Sequence, residues 1–283
     1  MGNEVQRREA AVRAAVEVAS RYGLAVESPQ VLKDSNNTIV HLAPAPVVAK
    51  VATTTLPRHE QALERELSVL RHLAGTHAAA VRPSGLLDPG PHEAEGHRLI
   101  FLDYLAHDAA AVDAQAAADA LGALHEALGT YTCPLPRYTD VMDQARTVLA
   151  DVTTSPALPA TERAFLISAH DQLRARLPFG PSGWQALHGD PWEGGNLLST
   201  PDGPVLVDFE AACVGPVEWD YSALDSAVAD AALAPLDLGL LDLLRDWRSL
   251  TVSAFCWRQM GRAPEIDEAA HWHLQHLHSR LGR

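Results

Sequence analysis

A turn-rich segment interrupts the apolar patterning late in the chain, and it constrains the fold more than any other feature. It covers residues 187–198, and a short apolar run, 205–210, follows it and ends in Asp-Phe-Glu. Asp190, Asn196 and Asp208 thus surround one loop. Gly-Asp-Pro and Gly-Gly-Asn are ordinary turn formers as well. The two motifs together, in this order, nevertheless favour phosphoryl transfer. One carboxylate would hold a hydroxyl, and the amide and the other carboxylate would hold a metal.

The length and composition indicate a globular protein with two lobes. The chain has 283 residues, of which 47% are hydrophobic, so it can bury a large core. Its three cysteines lie far apart and form neither a zinc pattern nor a disulfide framework, which is typical of a reducing compartment. The sequence shows no signal segment and no apolar run of membrane-spanning length. We therefore expect a cytoplasmic protein.

The charge balance is acidic, with 22 basic and 36 acidic residues and a formal net charge of −14. Such a surface repels nucleic acids and anionic membranes, so we expect neither as a partner. It would attract a cationic small molecule if the acids line a cleft. Solubility alone is an equally good explanation of the charge.

The first hundred residues alternate strands with helices. A helix extends to Gly23, and strands are predicted at 31–32, 38–42 and 47–51. A helix over 58–74 has leucines at helical spacing. Two more strands are predicted around the Pro/Gly-rich residues 88–91, the second at 99–102.

The remainder is predicted to be mainly helical. Asp113 is an N-cap candidate for an alanine-rich helix that ends at Gly129. Further helices are predicted at 141–151, 161–177, 221–233, 238–260 and 266–281. Residues 103–110 connect the two parts, which predicts a nucleotide-binding lobe over 1–102, a hinge over 103–110 and a helical catalytic and substrate-binding lobe over 111–283.

Lys50 lies in an otherwise apolar strand, so its ammonium group must reach an edge, solvent or a partner. One interpretation places it on nucleotide phosphates and pairs it with a glutamate of the following helix. Glu66 is the preferred partner, and Glu64 and Glu60 fit the spacing too. The other interpretation is a lysine that protects an edge strand from aggregation.

These motifs resemble those of the aminoglycoside phosphotransferase family, which shares a bilobal protein-kinase-like fold with choline kinases. The resemblance covers nearly the whole chain, and its motifs are Val48-Ala49-Lys50, the helix with Glu66, His188-Gly189-Asp190, Asn196, Asp208-Phe209-Glu210 and Gly215-Pro216-Val217-Glu218-Trp219-Asp220. The pairing of His-Gly-Asp with Asp-Phe-Glu is the specific part. It implies an α+β fold, with a small N-terminal lobe of antiparallel sheet plus helix and a larger, mainly α-helical C-terminal lobe.

The resemblance also implies roles for single residues. Asp190 is the catalytic base or orienter of the substrate hydroxyl, and Asn196 and Asp208 are ligands of Mg²⁺. Lys50 contacts the phosphates of ATP or GTP, with Glu66 as its ion-pair partner.

The resemblance implies two further nucleotide contacts and leaves two acidic residues open. The turn Asp34–Asn37 would lie over the phosphates, and backbone at the hinge would meet the base; the residues concerned are Ser35, Asn36, Asn37, Leu102, Asp103, Tyr104 and Leu105. The turn lacks the glycine-rich pattern of protein kinases. Glu210 either assists the metal or merely ends the strand. Glu193 is a guess for a substrate contact, and Asp225, Asp246, Glu265 and Glu268 are further guesses.

The loop departs from the family pattern at one point. Asn196 lies six residues after Asp190, and in the family's usual loop the asparagine lies one residue closer. Gly194 and Gly195 precede it and have the backbone freedom to absorb an insertion, so we expect activity. We expect His188 to hold the loop rather than to act as a base, and Asp220 to satisfy backbone donors of the next helix.

Two other clusters have ordinary explanations. The C-terminal histidines 271, 273, 276 and 278 could bind a metal, but only His273 and His276 have a favourable helical spacing. An exposed terminal helix is the simpler interpretation. Tryptophans 247, 257 and 272 could line a substrate pocket or belong to the core.

We therefore predict a Mg²⁺- and ATP- or GTP-dependent kinase that phosphorylates a hydroxyl of a small molecule. The best single prediction for the substrate is an antibiotic, either an aminoglycoside or another cationic compound, with phosphorylation conferring resistance by inactivation. One alternative is a metabolic or biosynthetic kinase of an amino alcohol, sugar or nucleoside. A pseudokinase that binds nucleotide without turnover is the other.

Overall fold

The computed structural model describes residues 2–53, 61–108, 110–177, 183–192, 194–262 and 264–282. The chain divides into two compact units. The first unit contains residues 1–133 and 190–212, and the second contains residues 134–189 and 213–283. The lobe and hinge functions assigned to 1–102, 103–110 and 111–283 stay predictions.

The order of elements alternates strands and helices in the first part and is mainly helical later. The elements are α1 Gly2–Arg21, β1 Val26–Asp34, β2 Asn37–Pro44, β3 Val47–Ala52, α2 Ala62–Leu73, β4 His92–Ala94, β5 His97–Asp103, α3 Ala114–Leu128, α4 Tyr138–Ala150, α5 Ala160–Arg176, β6 Gln185–Leu187, β7 Leu197–Thr200, β8 Gly203–Leu206, β9 Cys213–Gly215, α6 Glu218–Tyr221, α7 Ser226–Asp230, α8 Leu238–Arg258 and α9 Pro264–Leu281.

The first unit is built on a five-stranded antiparallel sheet. Its strand order is β1-β2-β3-β5-β4, so β3 lies at the centre. Alternate residues of β3, which are Val47, Ala49 and Val51, are fully buried in a core that includes the alanines of α1. Because side chains alternate along a strand, Lys50 points to the opposite face. The interpretation of Lys50 as an edge-strand residue is therefore wrong.

One local prediction in this unit needs correction. Between α2 and the Pro/Gly-rich residues 88–91, the described part of the chain has no strand, and Ala80 and Pro83 form only isolated bridges. The additional strand is β4, which follows that segment and pairs with β5. Glu95 and Gly96 make the turn between them with positive φ angles of 51° and 75°. This Glu-Gly pair was the missed turn signal.

The second unit packs long helices around a shared apolar core. Helices α4, α5, α8 and α9 contribute to one buried cluster that includes Trp219, Trp247 and Trp257, and the short pair β6–β9 lies beside it. Trp247 and Trp257 are thus core residues, whereas Trp272 is exposed. None of the described helices is both long and apolar enough to cross a membrane.

The single helix predicted for 221–233 is wrong, because two short helices, α6 and α7, occupy this region. The Asp225 side chain accepts a hydrogen bond from the Ala227 amide at 2.9 Å and caps α7. Asp, unlike a good helix former, competes for backbone donors in this way and starts a new helix. The carboxylate of Asp225, which was a candidate for substrate binding, is therefore used as a helix cap.

Candidate active site

The site is organised by the buried ammonium group of Lys50. Its Nζ lies 2.6 Å from Glu66 Oε2, 2.6 Å from Asp208 Oδ1 and 3.4 Å from Glu210 Oε2. Glu66 is fully buried on α2 and Lys50 is 2% exposed. The predicted pair of Lys50 with Glu66 is therefore present. Of the rival glutamates, Glu64 pairs with Arg98 instead, and residue 60 lies outside the described residues.

Burial and charge act in opposite directions on this cluster. Burial by itself lowers the pKa of Lys50, but the carboxylates of Asp208, Glu210 and Glu66 outweigh it and raise that pKa well above its ordinary value. Burial also raises the pKa of Glu66, and Lys50 limits the rise. Lys50 consequently stays protonated at neutral pH and is held in place by three acceptors.

Asp208 and Glu210 are fixed by the backbone that carries them. Asp208 adopts a left-handed conformation with φ of 67°, which is uncommon for a residue other than glycine. The following amide, that of Phe209, donates to Glu66 Oε1 at 3.2 Å. Arg65 donates two bonds to the carbonyl of Glu210, at 3.0 and 2.6 Å. Glu66 therefore positions both Lys50 and the Asp-Phe-Glu segment.

The loop between Asp190 and Asn196 is closed on itself. Asn196 Nδ2 donates to the carbonyl of Asp190 at 2.9 Å, and the Asn196 amide donates to the Trp192 carbonyl at 2.8 Å. The Asn196 carbonyl accepts from the Val207 amide at 2.9 Å, which ties the loop to the segment before Asp208. Asn196 is buried despite the longer spacing.

These residues surround one cavity of about 180 Å³. Its lining is polar and acidic and consists of Lys33, Ser35, Asn36, Asn37, Ile39, Asp190, Trp192, Asn196, Asp208 and Glu210. The structure thus brings together the predicted base, the predicted metal ligands and the predicted phosphate turn. Residue 193, the substrate guess, lies outside the described residues.

The cavity offers oxygen ligands for a divalent cation. The carboxylate oxygens of Asp208 and Glu210, which line it, lie within 4.8 Å of each other and of Glu66, whose buried carboxylate is bound to Lys50. Asn37 Nδ2 donates to Glu210 Oε2 at 2.7 Å, while its buried Oδ1 accepts no hydrogen bond from any residue that the structure describes. Carboxylate and amide oxygens are the ligands that Mg²⁺ and Ca²⁺ favour, so these residues fit such an ion.

A separate network in the second unit holds the residues just before Asp190. The Asp220 carboxylate accepts from the amides of His188 at 3.0 Å and of Gly189 at 2.8 Å. Arg248 donates to the carbonyls of Gly189 at 3.1 Å and Trp219 at 2.8 Å. Asp220 does satisfy backbone donors, as expected, but they belong to this loop and not to the next helix.

The hinge residues have backbone bonds of their own. The Asp103 amide donates to the Arg82 carbonyl and the Tyr104 amide donates to the Pro46 carbonyl, both at 2.9 Å. The Tyr104 ring stacks on His41 with ring centroids 3.9 Å apart. Leu102 is buried in β5 opposite Val48. A nucleotide base could use the amides of Asp103 and Tyr104 only by replacing these bonds.

The histidine-rich helix α9 forms no metal cluster among the described residues. His271 bonds to the carbonyl of Asp267, His273 to Ser249, and His278 pairs with Glu162, while His276 stacks on Trp272. Each of the four histidines thus has a structural contact, and the interpretation as a terminal helix holds. Asp246, another guess for substrate binding, is buried and pairs with Arg280 at 2.9 Å.

Sequence reasoning missed three basic residues of these networks, which are Lys33, Arg65 and Arg248. Arg65 and Arg248 act on backbone carbonyls, and such contacts have no sequence pattern. Lys33 could be recognised in the sequence as part of the polar turn, since it directly precedes residues 34–37, which are predicted to lie over the phosphates. Its place in the cavity depends on the loop around Gly195, far away in sequence.

An N-terminal antiparallel sheet with a buried Lys–Glu pair, followed by helices, together with this Asp–Asn–Asp cavity, defines an α+β protein of the protein-kinase-like class. The model of the phosphotransferase enzyme family, APH, matches residues 30–252. The chain therefore belongs to the phosphotransferase enzyme family, and it is a phosphotransferase.

Solved structures agree with this fold. APH(2")-IIia in complex with GDP and kanamycin is 13% identical, with coverage of 94% of this chain and 98% of that chain and a TM-score of 0.67. Amicoumacin kinase in complex with AMP-PNP, Ca²⁺ and its ligand is 11% identical, with coverage of 99% and 97% and a TM-score of 0.71. The choline kinase LicA from Streptococcus pneumoniae is 13% identical, with coverage of 94% and 96% and a TM-score of 0.68. No curated protein matches the sequence.

Proposed function

We propose that this phosphotransferase moves the γ-phosphoryl group of ATP or GTP to a hydroxyl group of a small molecule. The observation that carries the proposal is the cavity that Asp190, Asn196 and Asp208 line together, with Asp208 also bound to the buried Lys50. This arrangement provides a base, metal ligands and a phosphate-binding cation in one place, which are the parts that phosphoryl transfer needs.

In the proposed reaction, the oxygen of the acceptor hydroxyl forms a bond to the γ-phosphorus. The bond from the γ-phosphorus to the oxygen that bridges it to the β-phosphate breaks, and the nucleoside diphosphate leaves with that electron pair. The proton of the hydroxyl passes to the Asp190 carboxylate. Because the transition state is loose, orientation of the hydroxyl is the main task of Asp190.

Asp208 and Asn196 would hold Mg²⁺, and Glu210 fits the same role because its carboxylate lies near that of Asp208. The ion supplies positive charge that neutralises the phosphates. With Asp208 and Glu210 bound to the ion, Lys50 would contact phosphate oxygens, and its ion pair with Glu66 would hold it in place. The cavity is smaller than the ~300–1,000 Å³ of a typical ligand pocket, which suits the phosphate end of a nucleotide rather than the whole molecule.

The base of the nucleotide is proposed to bind at the predicted hinge. The turn of Ser35, Asn36 and Asn37 lines the cavity and is proposed to cover the phosphates. Since the Asp103 and Tyr104 amides already have acceptors, Leu105 is the hinge residue of our set best suited to offer its amide to the base.

We infer that the acceptor is a cationic, hydroxylated small molecule. The acidic balance of the chain supports this, because a net charge of −14 attracts cations. An antibiotic is the first candidate, since structural neighbours are complexes with kanamycin and amicoumacin, and inactivation would confer resistance. An amino alcohol is the second, because a choline kinase and an aminopropanol kinase have similar folds.

The test is a panel of aminoglycosides, other antibiotics, amino alcohols, sugars and nucleosides, with Mg²⁺ and either ATP or GTP. We expect nucleotide consumption together with an acceptor product that has gained one phosphoryl group by mass spectrometry. Asp190→Asn should lower kcat about 10²-fold to 10⁴-fold, the usual contribution of a general base. Asp202→Asn, the same change in the exposed β7–β8 turn, is the matched control and should behave as the wild type.

Two results would contradict the proposal. If the wild type binds Mg-nucleotide but modifies no acceptor in the panel, the protein is a nucleotide-binding pseudokinase. If Asp190→Asn keeps the wild-type kcat, then Asp190 is not the base.

A further inference from the structure

The composition of the basic residues singles out two positions. Of the 22 basic residues in the chain, only Lys33 and Lys50 are lysines, and all others are arginines. Lys50 is buried and has three carboxylate partners, whereas Lys33 is an exposed residue near the end of β1. Both lysines lie at the same site, because Lys33 lines the cavity whose wall includes Asp208, a partner of Lys50. A chain that uses arginine elsewhere thus has its two compact ammonium groups here.

The charge around Lys33 is otherwise negative. Among the described residues that line the cavity, Lys33 is the only basic one, and three acidic residues, Asp190, Asp208 and Glu210, line it as well. No hydrogen bond or ion pair of Lys33 occurs within the described part of the chain. The charge of Lys50 is already shared among three carboxylates. An anionic ligand that enters this cavity would therefore need Lys33, in addition to Lys50 and bound cations, for its charge balance.

Gly195 of the catalytic loop leaves room for Lys33. A Cβ atom built on Gly195 would lie 3.3 Å from Lys33 Nζ, so a side chain there would require the ammonium group to move by a few tenths of an ångström. The end of β1, where Lys33 lies, is held in place by two contacts of the next residue, Asp34. Asp34 accepts a hydrogen bond from Thr38 Oγ1 at 2.8 Å and pairs with Arg7 at 3.3 Å. These contacts fix the backbone next to Lys33.

We propose that Lys33 binds the phosphate groups of the donor nucleotide, with Gly195 leaving the space in which its ammonium group lies. The proposal rests on the proposed function and adds a specific phosphate contact to it. A lysine ammonium is a compact point charge that suits phosphate oxygens. The turn that follows Lys33 lacks the glycine-rich pattern of protein kinases, so a side chain here takes the place of that loop's backbone amides.

The first test measures binding without any acceptor, by calorimetry with Mg²⁺. The probes are the nucleoside triphosphate that binds, its diphosphate and its nucleoside. Lys33→Met should weaken binding of the triphosphate about 10-fold to 100-fold, as expected for a lost charge-assisted hydrogen bond, and leave nucleoside binding unchanged. Arg13→Met, which removes one positive charge from α1 outside the cavity, is the matched control and should bind all three as the wild type does.

A double-mutant cycle tests the role of Gly195. Gly195→Ala should weaken triphosphate binding several-fold in the wild-type background, because the new methyl group shifts the ammonium group by a few tenths of an ångström from the position in which it binds phosphate. In the Lys33→Met background the same change should have little further effect. Equal effects in both backgrounds would show that Gly195 acts independently of Lys33.

Chemical labelling gives a readout on the unmodified protein. An amine-reactive reagent should modify Lys33 and spare the buried Lys50, and peptide mass spectrometry distinguishes the two. The Mg-triphosphate should protect Lys33, and the nucleoside should not. If the wild type binds triphosphate but Lys33→Met binds it equally well and Lys33 is not protected, the Lys33 proposal is wrong while the proposed function stands. A change in acceptor affinity alone would likewise overturn it. A wild type that binds no nucleotide would refute both.

Discussion

Replacement of Lys50 should destabilise the protein more than replacement of its fully buried partner Glu66. Lys50→Met leaves the carboxylates of Glu66, Asp208 and Glu210 facing one another without a cation, with oxygens within 4.8 Å. Glu66→Gln leaves Lys50 with two carboxylates, at 2.6 and 3.4 Å, and the Gln carbonyl can still accept from the Phe209 amide. The two variants therefore separate the charge of the site from its packing.

The structure sets the size of both effects. Two carboxylate charges 4.8 Å apart repel by roughly 3 kcal/mol at an effective dielectric constant of about 20. Protonation of Glu66, whose pKa is already raised by burial, relieves part of this repulsion in Lys50→Met. We expect a loss of about 3 kcal/mol in the free energy of unfolding for Lys50→Met, at the low end for a broken buried pair, and about 1 kcal/mol for Glu66→Gln.

Urea denaturation at neutral pH, with and without Mg²⁺ or Ca²⁺, measures these losses. Because the three carboxylates lack a cation in Lys50→Met and can hold a divalent ion, added Mg²⁺ should restore more stability to this variant than it adds to the wild type. Equal losses for the two variants would refute the charge argument. So would a stability of Lys50→Met that does not respond to the cation more than the wild type does.

Two further predictions concern the second unit. Asp220→Asn replaces one of the oxygens that accept hydrogen bonds from the His188 and Gly189 amides by a donor. It should therefore lower the free energy of unfolding by about 2 kcal/mol, measured by denaturation, and reduce kcat, measured by turnover. An unchanged kcat would exclude a role of Asp220 in positioning the loop. Burial, with a smaller contribution from a neighbouring histidine, lowers the pKa of His273 to about 4 in the folded protein. The unfolded chain then binds the proton more readily, so stability present above about pH 6.5 should fall by up to about 3 kcal/mol as the pH drops toward 4. His273→Gln, which can keep the bond to Ser249, should lose this part of the pH dependence, and an identical pH profile would contradict the assignment.

The sequence predicted the elements of the first unit well where the information is local. The period of leucines located α2, and Asp113 caps α3 as expected, with its carboxylate accepting from the amides of Gln115 and Ala116. It favoured Glu66 as the partner of Lys50 but could not exclude Glu64 or Glu60, because the three glutamates lie close together in the sequence. Nor could it place β3 at the centre of the sheet, since strand order depends on pairing partners that lie far away in sequence.

The same distinction explains the candidate site. Residues within one motif, such as Asp190 and Asn196, could be predicted from their spacing and chemistry, and the structure brings them into one cavity with Asp208. The sequence placed Lys33 beside the polar turn but could not place it next to Gly195, which lies more than a hundred residues later. The break between α6 and α7 was missed for a different reason. Asp225 is compatible with a helix surface and with a cap, and only the tertiary structure decides between them.

The extra residue before Asn196 shows why spacing along the chain is a weak guide to spacing in a site. Asn196 is held by three backbone groups at once, through the Asp190 and Trp192 carbonyls and the Val207 amide, at 2.9, 2.8 and 2.9 Å. These contacts fix where the amide side chain lies, and the loop between the fixed points only has to span them. Glycine can make that span in many conformations. A loop that contains glycine can therefore take different paths between the same fixed points, and in this chain Lys33 lies beside Gly195 of that loop.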